Sequence, residues 1–73
     1  MSFGAFLRAQ RRTCGVSQNE LAKRSGMHRT SISLLERGER HDPSLDTLVK
    51  LARALDVTPS DFVDDYAQQA GLP

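Results

Sequence analysis

Residues 18–38 read QNELAKRSGMHRTSISLLERG, which is two short helical patterns separated by the single glycine Gly26. A helix of about eight residues is marginal in water on its own, because isolated helices need roughly 12 to 15 residues. Both helices must therefore be held by packing against the rest of the chain. Gly26 supplies the positive φ that ends the first helix at little steric cost, and Met27 is expected to be an apolar contact at the turn.

Helical periodicity continues on both sides of this stretch. Before it, Phe3, Phe6 and Leu7 recur at helical spacing, and Ser17 with an acid three residues later predicts a capping box. No long segment alternates apolar and polar residues, so no strand is expected. The apolar stripe expected on the fourth helix comprises Leu45, Leu48, Val49, Ala52 and Leu55. Five helices are predicted. The first, second and fifth cover about residues 3–13, 18–25 and 59–69, the third runs from residue 28 or 29 to about 37, and Ser44 caps the fourth.

Charge is distributed unevenly along the chain although its net value is only +1. Residues 1–41 carry eight Lys or Arg against three acids, a net +5, whereas residues 42–73 carry two basic residues against six aspartates, a net −4. This asymmetry favours a basic face for a polyanion and an acidic end that stays away from it. Two ordinary solvated surfaces are the alternative, since the sequence pI of 8.0 is below the value of about 9 that is typical of nucleic-acid binding.

The reactive residues give little support to an enzyme or a metal site. Cys14 falls on an apolar position of the first helix, so a buried and inert thiol is expected, and as the only cysteine it favours a reducing cytoplasm. His28 and His41 have no Cys or His at ligand spacing. The apolar runs are too short for a membrane span. We expect no enzymatic activity, no cofactor, no metal and no membrane.

The two short helices are predicted to cross closely. Leu21 and the small Ala22 face inward from one helix, and Ile32 and Leu35 face inward from the other. A tight turn at Gly26 sets two such helices at about 90 to 120°. The outer face of the third helix then forms a convex rod, whose diameter suits the major groove of B-DNA, roughly 12 Å wide.

Several sequence elements occur together and in register over about residues 3–64. They are Leu7-Arg8, Arg11, Gly15-Val16-Ser17-Gln18, Glu20-Leu21-Ala22, Gly26, Ile32-Ser33, Glu36-Arg37-Gly38, Pro43-Ser44-Leu45 and Leu48 through Leu55. In these elements the chain resembles helix-turn-helix proteins of the Cro and phage-repressor type, often called XRE-like. The resemblance implies an all-α, five-helix, phage-repressor-like DNA-binding domain with the helix-turn-helix at helices 2 and 3. One domain is expected over residues 1–73, with a core over about 3–64 and a helix extension and tail over 65–73.

The resemblance implies a division of labour between the two short helices. In this family the start of the third helix points at base edges, where arginine can fork onto guanine and threonine can contact thymine. The implied base-reading residues are Arg29, Thr30, Ser33 and Leu34. The start of the second helix, with its free N–H groups, and the loop after the third helix meet phosphates. The implied phosphate-binding residues are Gln18, Asn19, His28, Arg37 and Arg40.

Some of these implied roles have a plainer alternative. For Leu34 it is core packing in place of a thymine-methyl contact, and for Arg37 and Arg40 it is simple solvation. Glu39 and Asp42 depart from the more basic members of the family, which lowers the expected electrostatic affinity for DNA.

A structural ion pair is also implied by the resemblance. The family pairs the acid at Glu36 with an arginine in the first helix, which is Arg11 in this chain. A buried carboxylate needs such a partner to offset its desolvation cost, so we assign the pair to structure.

A dimer is expected because one recognition helix makes too few base contacts to select a site in a genome. An apolar stripe continues past the end of the predicted core, and a frayed tail is the alternative to a partner surface there. The predicted interface residues are Val63, Tyr66, Ala67 and Ala70. The predicted function is sequence-specific binding of double-stranded DNA by a homodimeric transcriptional regulator on a palindromic operator. The alternatives are a DNA-binding antitoxin of a toxin pair, and a protein-interaction module that keeps the fold without reading DNA. A toxin or a polymerase is considered as a protein partner.

Overall fold

Five helices form the described part of the chain, which in this computed structural model comprises residues 1–40 and 43–72. They are α1 Phe3–Thr13, α2 Gln18–Ser25, α3 Arg29–Glu36, α4 Leu45–Ala54 and α5 Pro59–Gln69. The described residues contain no strand, and none of their helices is long and apolar enough to cross a membrane. The all-α, five-helix prediction is confirmed. His41 and Asp42, considered above for a metal site and for the loop charge, lie outside the described residues.

Local capping explains where most of the helices begin. The N-cap residues of α2, α4 and α5 are Ser17, Ser44 and Thr58. The side-chain hydroxyl of each accepts a hydrogen bond from the backbone N–H three residues later. Each such bond satisfies a backbone donor that the first helical turn leaves free. The predicted capping box at α2 is half formed, because the Glu20 carboxylate accepts from Arg24 Nε at 3.2 Å instead of reaching back to its cap.

The core lies where all five helices meet. Aromatic rings from the two ends of the chain close it, with the ring centroids of Phe6 and Phe62 at 5.2 Å. This shared burial holds α2 and α3 in place, since helices of eight residues do not persist alone. The largest fully buried side chains are Phe6, Leu7, Leu21, Ile32, Leu51 and Phe62.

Two predictions of burial are wrong. Cys14 is exposed, because it is the C-cap of α1 and lies beyond the last turn that faces the core. Leu45 is 74% exposed, because it is the first residue of α4 and that helix has fully buried residues only from Leu51 onward. The buried positions of α4 and its C-cap are Leu51, Ala52, Ala54 and Leu55.

Candidate nucleic-acid interface

The turn between α2 and α3 is fixed by a left-handed glycine and a buried serine. Gly26 has φ 71° and ψ 18° and donates its N–H to Ala22 O. The N–H of Met27 donates to the same oxygen at 3.1 Å and to Ser25 Oγ at 3.3 Å. Met27 packs against the core as predicted, whereas the buried Ser25 was not anticipated. These bonds set the direction in which α3 leaves the turn.

α3 turns one face to the core and the other to solvent. Arg29 and Thr30 are exposed at its start, and Ser33 and Leu34 are half-buried one turn later. Several half-buried hydrophobic side chains of the described residues pack against the core, but Leu34 is not one of them. The buried residues of the helix are Ile32, Leu35 and Glu36.

A buried carboxylate at the end of α3 joins three helices. Arg11 Nε lies 2.7 Å from Glu36 Oε2 and Arg11 Nη2 lies 2.9 Å from Glu36 Oε1, which is a two-pronged ion pair. The same Oε1 accepts from Arg8 Nε at 3.3 Å and from Gln18 Nε2 at 3.2 Å. We call Arg8, Arg11, Gln18 and Glu36 the carboxylate cluster. It ties α1 and the start of α2 to the end of α3.

The protonation equilibrium of Glu36 reflects this cluster. Burial by itself raises the pKa of Glu36, but hydrogen bonds from Arg11, Gln18 and Arg8 together with the charge of Arg11 outweigh it and hold the pKa below its usual value. The hydrogen bond to Glu36 also raises the pKa of Arg11. Both groups are therefore held in their charged forms in the folded protein.

The residues predicted at the backbone grip fall into two groups around α3. Gln18, the first residue of α2, contacts Glu36 and thus lies beside the end of α3. Asn19 is exposed next to it. His28 is exposed at the N-cap of α3, where its side chain makes no capping hydrogen bond. An eight-residue helix spans roughly 12 Å, so about that distance separates the two groups.

The loop after α3 carries the two remaining predicted phosphate ligands. Arg37, the C-cap of α3, is exposed and its Nε lies 3.1 Å from Glu39 Oε2. Arg40 and His28 line one open cleft of about 460 Å³. Lys50 of α4 lines the same cleft. The sequence did not predict that Lys50 lies at this cleft, because its position on α4 gives no local sign that the helix passes the loop.

The predicted dimer stripe is partly covered by its own chain. Tyr66 packs on Phe3 with ring centroids at 5.4 Å, and Ala67 and Ala70 are half-buried. Val63 is 40% exposed. Three of these residues border an apolar cleft of about 300 Å³, whose lining includes Phe3, Leu48, Val63, Tyr66, Ala67 and Leu72.

The curated proteins similar to this chain include a transcriptional regulator, a control protein and an antitoxin. The chain is 47% identical over 55 residues to an uncharacterized HTH-type transcriptional regulator of Mycobacterium tuberculosis. The aligned region covers 75% of this chain but only 39% of that relative. The chain is 47% identical over 49 residues to the control protein C.BamHI of Bacillus amyloliquefaciens, covering 67% and 59% of the two chains. It is 48% identical over 48 residues to the antitoxin HigA1 of Mycobacterium tuberculosis, covering 66% and 32%.

Solved structures share the fold over most of the chain. The restriction-modification controller protein C.AhdI of Aeromonas hydrophila superposes with a TM-score of 0.74 at 43% identity, covering 82% of this chain and 89% of that one. SinR of Bacillus subtilis, solved in complex with DNA, gives a TM-score of 0.76 at 30% identity, with 84% and 97% covered. The family model described as helix-turn-helix matches residues 7–62. The chain therefore belongs to the helix-turn-helix family, in its Cro and phage-repressor or XRE-like branch of DNA-binding transcriptional regulators.

Proposed function

We propose that this protein binds double-stranded DNA sequence-specifically through the start of α3 and regulates transcription as a dimer on a palindromic operator. The observation that carries the proposal is the two-sided character of α3. Arg29 and Thr30 stand exposed at its first turn, while its opposite face is buried and anchored at Glu36. A recognition helix backed in this way enters the groove without a further ordering cost, which favours affinity.

Base reading is assigned to Arg29, Thr30, Ser33 and Leu34. Arginine can donate two hydrogen bonds to O6 and N7 of guanine, and the threonine and serine hydroxyls can serve either base of a pair. Leu34 supports the thymine-methyl role by being half-buried without packing on the core of the described chain. A methyl contact of this kind adds preference for thymine at one position.

Phosphate binding is assigned to both ends of α3. Gln18 and Asn19 at the start of α2 and His28 at the start of α3 flank the helix, and Arg37 and Arg40 extend the contact along the loop. Glu39 Oε2 lies 3.1 Å from Arg37 Nε and partly neutralises its charge, so DNA binding by this loop releases fewer counterions than binding by a purely basic loop.

Dimerisation is assigned to α5 and the chain that follows it. Val63 is exposed, and Tyr66, Ala67 and Ala70 are partly exposed beside it, next to the apolar cleft. Two copies joined there present two recognition helices to one face of the duplex, as required for half-sites about one helical turn apart. The mass of the free protein by light scattering should correspond to two chains.

A second candidate function adds a protein partner to DNA binding. The 48% identity to antitoxin HigA1 over 66% of this chain favours a DNA-binding antitoxin. The other alternative, an interaction module without DNA readout, shares the fold but predicts no sequence selection. For either DNA-binding function we place the protein in the cytoplasm, with no cofactor.

Selection of bound sites from random double-stranded DNA, followed by sequencing, tests the proposed function. We expect enrichment of an inverted repeat whose half-sites are centred about 10 base pairs or a multiple apart. A matched control carries alanine at Arg29, Thr30 and Ser33, all outside the hydrophobic core. It should stay folded and lose the enriched sequence.

Two results of this selection would contradict the proposal. A pool with no enriched sequence and only weak affinity would favour the interaction module. Enrichment of single half-sites without a partner repeat would agree with sequence-specific DNA binding but would contradict binding as a dimer.

A further inference from the structure

The carboxylate cluster holds more positive charge than Glu36 neutralises. Arg8 and Arg11 both donate to the single carboxylate of Glu36, so the three charged groups sum to one positive charge. The depressed pKa of Glu36 means that the carboxylate stays ionised at neutral pH. An unneutralised charge next to the start of α2 favours an anion there.

The two arginines are engaged to different extents. Arg11 uses its Nε and Nη2 on Glu36 and its Nη1 on Val16 O at 3.0 Å, and its side chain is only 12% exposed. Arg8 makes one hydrogen bond, from Nε to Glu36 Oε1, and its side chain is 42% exposed. Within the described residues neither terminal nitrogen of Arg8 has a partner. Those two nitrogens form the free edge of a guanidinium group.

Arg8 and Gln18 bind the same oxygen atom of Glu36. Arg8 Nε and Gln18 Nε2 touch the same Glu36 oxygen, at 3.3 and 3.2 Å, so the two nitrogens are no more than two hydrogen-bond lengths apart. The Gln18 amide nitrogen carries two hydrogens, and Glu36 takes one. The Arg8 guanidinium and the Gln18 amide are therefore held near each other by Glu36, close to the amino terminus of α2, where the helix dipole also favours an anion.

We propose that Arg8 binds a DNA backbone phosphate together with Gln18. The assignment rests on the proposed DNA binding and adds to it a ligand from α1, a helix to which no DNA contact was assigned. Glu36 positions both side chains through one oxygen atom. Arg8 supplies charge to the phosphate without reading sequence, because a phosphate contact is the same at every base pair.

The substitution Arg8→Gln tests this assignment against the matched control Arg53→Gln. Both remove one positive charge, and Arg53 is an exposed α4 residue with no ion pair among the described residues. Affinity is measured on the selected operator and on random duplex at several salt concentrations, with every variant folded. We expect Arg8→Gln to reduce the salt slope by about 0.9 per chain. Affinity should fall about tenfold per chain on both DNAs alike, while Arg53→Gln keeps the wild-type slope.

A charge-preserving variant separates the loss of the Arg8 charge from a purely structural effect of the substitution. Arg8→Lys should keep the wild-type salt slope even where its unfolding midpoint changes. An unchanged slope in Arg8→Gln, with wild-type DNA binding intact, would overturn the Arg8 assignment alone. An equal loss of slope in Arg53→Gln would overturn it too, since the effect would then follow total charge. A wild-type protein without affinity for any duplex would overturn the proposed function and this assignment with it.

Discussion

The substitution Glu36→Ala is expected to destabilise the fold by about 3 kcal/mol, at the lower end of the cost of breaking a buried ion pair by removing one partner. The Glu36 side chain has no solvent exposure, and its carboxylate accepts hydrogen bonds from three side chains of α1 and α2. Its loss leaves Arg11 with little access to water. The partial exposure of Arg8 softens the effect, because water can replace the missing partner.

Urea unfolding measures this loss, with Glu20→Ala as the matched control. Glu20 is an acid in an exposed i,i+4 pair with Arg24 on α2, at 3.2 Å, and such a pair contributes well under about 1 kcal/mol. Similar losses in the two variants would mean that the carboxylate cluster does not hold α1, α2 and α3 together.

The stabilisation by Glu36 also depends on pH with a definite sign. Its pKa in the folded state is lower than the usual value of 4.5, so the folded state favours the ionised form. The ion-pair contribution is therefore complete above the pKa of the unfolded chain and disappears as pH falls through the lower folded pKa. The difference in stability between wild type and Glu36→Gln should shrink over that acid range. A difference that is constant from neutral pH downward would contradict the depressed pKa.

The second large effect is expected from Gly4→Ala, which should destabilise the fold by about 3 kcal/mol, the upper part of the range for overpacking. Gly4 is buried in α1 where this helix crosses the end of α3. A Cβ there would overlap the Leu35 carbonyl oxygen and lie 2.7 Å from the Glu36 carbonyl oxygen. These are backbone atoms, so no rotamer change relieves the clash.

The sign of the Gly4→Ala effect makes the test decisive. Alanine in a helix is ordinarily more stable than glycine by roughly 0.5 to 1 kcal/mol. The control Ala5→Gly, at an exposed position of the same turn, measures that propensity alone and should cost about that amount. A Gly4→Ala variant that unfolds at higher urea than wild type would show that α1 and α3 do not approach at this point.

The features that sequence predicted well depend on neighbours within a few residues. The starts of α2, α4 and α5 follow from hydroxyl caps that bond three residues ahead. The break at Gly26 follows from a positive φ that glycine adopts freely. Each is decided by local geometry, so the starts of the helices could be predicted to within one residue.

The features that sequence missed depend on which distant helix covers a position. Cys14 and Leu45 have the spacing of buried residues, but each lies at a helix end that the core does not enclose and is exposed. The links from Arg8 and Gln18 to Glu36 span 28 and 18 residues of chain, so no local pattern indicates them. Gly4 looks like a weak helix residue until the backbone of α3 is placed against it.

In the proposed complex the start of α3 reads bases while the start of α2 holds the DNA backbone. The binding of Arg29→Ala and Gln18→Ala to the selected operator and to each of its single-base-pair variants tests this division. We expect Arg29→Ala to lose about 1 to 3 kcal/mol of binding free energy and its preference at one base pair per half-site, whereas Gln18→Ala should weaken binding to every sequence alike. Equal losses on all sequences for Arg29→Ala would contradict base reading at the start of α3.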